Sequence, residues 1–100
     1  MLELSTAQRA YLRSLANELK PVVQIGKQGL STQVLDKVDQ ELTAHELIKV
    51  KFLDYKDERR DIAAEIADRL DGNLVAVIGH VAIFYRESSD AEKRQIVLPR

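Results

Sequence analysis

The chain has no cysteine and no tryptophan, one methionine, two prolines and four glycines, and its 15 basic and 16 acidic residues nearly cancel to a net charge of −1. Each shortage excludes something. Without cysteine there can be no disulfide and no thiolate zinc site, so a reducing cytoplasm is the expected setting. No run of about 18 uncharged apolar residues occurs, and MLELSTAQRAYLRS lacks a basic segment followed by an apolar one. Neither secretion nor a membrane contact is expected. The near-zero charge excludes a protein that coats nucleic acid through bulk positive charge, so any anion site must be local. No nucleophile with its base, no carboxylate pair and no ligand cluster emerges from the spacing, which predicts a non-enzyme with no cofactor, no metal and no small-molecule substrate.

What is present suits an ordinary globular domain: 45% of residues are hydrophobic and 31% charged over 100 positions, which predicts one domain over residues 1–100. Ser5-Thr6-Ala7-Gln8 has the form of a capping box, and apolar residues at helical spacing from Tyr11 predict helix 1 over Thr6–Leu19, ended by Pro21. Val22–Ile25 reads as strand 1 and Gly26–Gly29 as a loop. Ser31 caps helix 2, whose buried stripe is Val34, Leu35, Val38 and Leu42. A period of two over Leu47–Leu53 gives strand 2, with Lys49 and Lys51 on the polar face. The charged stretch DYKDERR leads to helix 3, with Ile62, Ala63, Ile66, Ala67 and Leu70 inward, stopped at Gly72-Asn73. LVAVI and VAIFYR are strands 3 and 4, joined by Gly79-His80 in a type II′ hairpin. The tail, residues 87–100, fits either an edge strand or an extended surface segment.

Right-handed crossovers make strands 1, 2 and 3 parallel if they share a sheet, and strand 4 then runs backwards. The loops after strands 1 and 2 and the hairpin fall at one end, where open α/β sheets usually meet ligands. That end is expected to gather Gly26, Lys27, Gln28, Gly29, Lys56, Arg59, Arg60 and His80. The reversal of helix 1 before strand 1 is expected to bring Arg9 and Arg13 there too. Glycines at 26 and 29 allow close approach of a phosphate, and the start of helix 2 favours negative charge. The same residues also make a plain strand-to-helix turn. Tyr55 suits base stacking or an incidental surface position, Tyr11 suits the core, and His45 suits the end of helix 2.

The segments QRAYLRSLANELKPVVQIGKQGL, ELIKVKF, VAVIG followed by IFYR, and IVLPR resemble the YhbY-like proteins that carry the CRM (chloroplast RNA splicing and ribosome maturation) domain. The resemblance implies an α/β (α+β) two-layer sandwich of α-β-α-β-α-β-β order. Its mixed four-stranded sheet has strand order 1-2-4-3, similar to the C-terminal domain of translation initiation factor three. It also implies RNA binding through the G-x-x-G loop at Gly26–Gly29, with ribosomal RNA of the large-subunit precursor as partner in bacterial members. Family members are often more basic where this chain has Ala7, Asn17, Glu18 and His80, which implies weaker RNA affinity here. The alternative expectation is a protein-interaction module that docks on ribosomal proteins through its acidic helices or its tail.

Overall fold

The capping box forms as the sequence predicts: Ser5 Oγ accepts the Gln8 N–H at 3.1 Å, and Gln8 Oε1 accepts the Ser5 N–H at 3.0 Å. In the computed structural model, which describes residues 2–100, this box starts α1 (Thr6–Ala16). There follow β1 (Pro21–Ile25), α2 (Thr32–His45), β2 (Leu47–Phe52), α3 (Arg59–Arg69), β3 (Asn73–Ile78), β4 (Val81–Tyr85) and the short 3₁₀ helix η1 (Ala91–Lys93). Helix α1 stops three residues earlier than its apolar spacing suggests. Asn17 and Leu19 bond back to the Ser14 and Ala16 carbonyls in a tight turn, and the Lys49 ammonium donates to the Leu19 carbonyl at 3.0 Å.

The sheet has the order β1-β2-β4-β3. β1 and β2 are parallel, while β4 runs antiparallel to both β2 and β3. One face, bearing Ile25, Ile48, Val50, Phe52, Ala82 and Phe84, packs on the apolar stripes of α2 and α3. This is the larger core. On the opposite face Leu12 and Ala16 of α1 bury against Leu47, Val75, Ile83 and Tyr85. A register shift between Leu74 and Ala76 lets Val75 join that cluster.

That second cluster overturns one expectation. On β2 the α1 face reads Leu47, Lys49, Lys51 along the strand, so apolar surface is available only at the strand's start, and α1 must settle there. Arg9 consequently lies at the start of β3, where its guanidinium donates to the Leu74 and Val75 carbonyls at 2.7 and 2.9 Å. That is the sheet end opposite Gly79. Arg9 therefore does not join the strand-end loops, and Arg13 is exposed on α1 with no bond tying it to them.

Two smaller boundaries also shift. The left-handed residue that ends α3 is Asp71 (φ 53°) rather than Gly72, which instead donates its N–H to the Ala67 carbonyl at 2.8 Å. The hairpin has Gly79 at φ 58° with no positive φ at His80, the pattern of a type II′ turn.

The tail adds no strand. It lies over the α1 face, with Ile96 and Leu98 packed on the smaller core and the Pro99 carbonyl accepting from Gln8 Nε2 at 2.9 Å. Glu46 holds it. This residue links α2 to β2 at φ 66°, and its fully buried carboxylate accepts the N–H of Ser88 at 2.7 Å, of Gln95 at 2.7 Å and of Ile96 at 3.0 Å. Burial alone raises its pKa, but those three donors together with the nearby Arg94 outweigh it and hold the group below the ordinary glutamate value. Deleting residues 88–100 would thus uncover part of the core, and cannot cleanly remove a docking tail. No helix among the described residues is long and apolar enough to cross a membrane.

Candidate nucleic-acid interface

The segment Gly26–Gly29 closes as a tight turn, with the Gly29 N–H bonded to the Gly26 carbonyl at 3.0 Å. Its central residues, Lys27 and Gln28, project into solvent, while Gly29 is buried. The two glycines do different work. Gly29 sits at φ 63°, and a β-carbon there would meet the Tyr55 ring and hydroxyl at 3.1 to 3.3 Å. At Gly26 a β-carbon would meet nothing within 4 Å, so only an approaching ligand would sense its absence.

Gly29→Ala is therefore expected to cost about 1–2 kcal/mol through its left-handed backbone and to lower the unfolding temperature. Gly26→Ala, which meets no neighbour, should leave that temperature unchanged. Thermal unfolding of both variants checks this.

Tyr55 is not an incidental surface residue. It is half-buried, packs on Gly29 and donates its hydroxyl to the Lys27 carbonyl. The Asp54 carboxylate accepts the Tyr55 N–H at 2.7 Å and supports the left-handed backbone of Tyr55, φ 61°. The loop after β2 thus braces the glycine turn from below. Leu53 strengthens that link by donating its N–H to the Ile25 carbonyl at 2.8 Å.

The hairpin is joined to the same loop. Arg59, the first residue of α3, donates from Nη1 to the Gly79 carbonyl, and Phe52 donates its N–H to the His80 carbonyl at 2.7 Å. Between them lies a shallow hollow of about 200 Å³ lined by Phe52, Leu53, Asp54, Lys56, Arg59 and His80. Arg59 Nε is the one buried side-chain nitrogen or oxygen among the described residues without a hydrogen-bond partner. Lys56, Arg60 and His80 are exposed. The structure therefore brings together Gly26, Lys27, Gln28, Gly29, Lys56, Arg59, Arg60 and His80, and leaves Arg9 and Arg13 outside the group.

Electrostatics separates this end from the helical layer. The ion pairs run from Lys37 and His45 to Glu41 on α2, from Arg69 to Glu65 on α3, from Arg86 to Asp39, and within the tail at Asp90–Lys93 and Glu87–Arg94. Lys27, Lys56, Arg59 and Arg60 belong to none of them. Four carboxylates, Asp54, Asp57, Glu58 and Asp61, share the second loop and the start of α3, yet none is locked onto a cation. The cations remain available, and α2 begins beside the glycine turn with Ser31 Oγ accepting the Val34 N–H.

Sequence and structure comparisons concern the chain as a whole. The family model described as the CRS1 / YhbY (CRM) domain matches residues 4–86. A Haemophilus influenzae protein named "RNA-binding protein" is 39% identical over 101 residues, spanning 100% of this chain and 99% of its own. The Bacillus subtilis "Probable RNA-binding protein YqeI" is 35% identical over 97 residues, covering 96% of this chain and 99% of its own. The solution structure of the hypothetical protein SAV1595 from Staphylococcus aureus superimposes with a TM-score of 0.80 at 36% identity, over 97% of this chain and 100% of that one.

Proposed function

This chain belongs to the CRS1 / YhbY (CRM) domain family, and from that membership we propose that it is a non-catalytic protein that binds ribosomal RNA during large-subunit assembly in the cytoplasm. The binding end is the one formed by the glycine turn, the second loop and the hairpin. One observation carries this reading: a solvent-facing Lys27-Gln28 tip, fixed from behind by Tyr55, stands beside Lys56, Arg59 and Arg60, none of which is held in an ion pair. The backbone at Gly26 is open to a phosphate, and the N-terminus of α2 adds favourable potential there. Lys27, Lys56, Arg59 and Arg60 supply the charge, while Gln28 and His80 offer hydrogen bonds to sugar or base.

Such a grip is largely one of backbone phosphates and shape rather than sequence. With about four phosphate contacts and a slope near −0.7 for each, affinity should fall roughly fifty-fold between about 50 and 200 mM salt. Titration of a ribosomal RNA fragment across that range tests it, and a flat response would contradict phosphate binding.

A further inference from the structure

The two edges of the sheet are treated differently. At β3, Arg9 covers the Leu74 and Val75 carbonyls and the strand is irregular between Leu74 and Ala76, both of which discourage further pairing. The edge at β1 has Pro21 at its first position and a register shift between Pro21 and Val23, but no side chain covers it beyond that point. Val23 aligns with Val50 and Ile25 with Phe52, and the Ile25 carbonyl accepts from Leu53 at 2.8 Å. In a parallel ladder, alternate residues turn both backbone groups to the same neighbour, so Val23 and Ile25 face β2. The N–H and C=O of Gln24 therefore face outward, with Val22 at the register shift beside it. Beyond the β1–β2 ladder, no group among the described residues bonds to them.

This bare edge runs between two grooves. On the α1 side is a groove of about 590 Å³ with Tyr11, Leu15, Leu19 and Val22 in its walls. Those are four of the eight large apolar side chains exposed among the described residues, at 36 to 40%, so the groove concentrates surface that monomers usually scatter. Tyr11, which its spacing assigned to the core, belongs here instead. On the α2 side is a groove of about 450 Å³ that includes Val23, Val34 and Lys37.

We propose that the β1 edge takes an extended segment of a partner protein as a fifth strand, its apolar side chains entering the α1-side groove at alternate positions and a carboxylate meeting Lys20. Outward backbone donors and acceptors in alternation fit a strand, and side chains that point to opposite faces fit grooves on both sides of the edge. The charge of the segment follows from Lys20, Lys49 and Lys51, which outnumber Glu18 of the groove wall and have no carboxylate partner. RNA would leave the apolar groove unfilled. The inference is independent of the RNA-binding reading, since its residues lie outside the strand-end loops.

The test uses the full chain and a displayed library of random decapeptides. Enriched peptides should alternate apolar residues and carry an acidic one. Gln24→Pro deletes an outward N–H and no bond of the β1–β2 ladder, so it should weaken those peptides about tenfold or more while leaving binding of a ribosomal RNA fragment unchanged. Leu15→Glu, on an exposed wall of the groove, should do the same, and it decides the matter alone if Gln24→Pro fails to fold. Failure to enrich any peptide, or equal binding of the enriched peptides to Leu15→Glu and the unaltered chain, would overturn the proposal. So would loss of RNA binding in place of peptide binding, or a dimer that Leu15→Glu or Gln24→Pro dissociates.

Discussion

Changing Lys27→Glu and Gln28→Glu together is expected to weaken RNA binding by about tenfold or more, a loss of roughly 1.4 kcal/mol at the least, with little change in unfolding temperature. Both side chains stand in solvent at the tip of the turn, and neither makes a hydrogen bond or ion pair within the protein. What holds the turn is backbone: the Gly29 N–H on the Gly26 carbonyl and the Tyr55 hydroxyl on the Lys27 carbonyl. The double change leaves those bonds in place. It removes one positive charge and adds two negative ones where a phosphate is proposed to sit, so a phosphate contact is replaced by repulsion. Fluorescence anisotropy with a ribosomal RNA fragment at fixed salt, beside a thermal melt, reads both quantities. Unchanged affinity would remove the turn from the interface.

The second large effect is on stability. Glu46→Ala strips the acceptor from three backbone N–H groups, those of Ser88, Gln95 and Ile96, and should cost about 3 kcal/mol. At about 4–8 °C per kcal/mol for a domain of this size, that lowers the unfolding temperature by roughly 12–24 °C. The tail should also become sensitive to proteases. Acid should do part of the same work. Because the folded pKa is depressed, the ionised carboxylate contributes stability that is fully present above the ordinary glutamate pKa of about 4.3 and is lost as pH falls through the lower folded value. Glu46→Gln should therefore be clearly less stable than the unaltered chain near neutral pH, and the gap should narrow below about pH 4.

Much of this fold was legible because its signals are local. Ser5 and Ser31 sit three residues before the N–H groups they cap, β2 shows a period of two, and Gly79 opens its hairpin. The sheet order came from family resemblance rather than from periodicity. What escaped depends on contacts between distant positions. Tyr55 reaches Lys27 across 28 residues, Arg59 reaches Gly79 across 20, and Glu46 reaches the tail across 42 to 50. Nothing in the neighbouring sequence announces these partners. One hint was present at Glu46: a single residue joins α2 to β2, which leaves its side chain little room to reach water.

The misplaced arginine teaches something similar about the candidate site. Helix 1 does end before strand 1, as Pro21 requires, but where an element ends does not fix the angle at which it crosses a sheet. Lys49 and Lys51 set that angle by denying α1 an apolar seat near the strand-end loops. Arg9 is then free to cover the β3 edge, and the candidate rim is built from the loops and the first residues of α3. The same two lysines leave part of that sheet face uncovered.

Ultraviolet crosslinking of the full chain to a ribosomal RNA fragment, with the attached residues located by mass spectrometry, tests the central claim most directly. The account predicts crosslinks within Gly26–Gly29, Leu53–Arg60 and Gly79–His80. Crosslinks confined to the acidic outer surface of α2 and α3, around Asp36, Gln40 and Glu65, would contradict it.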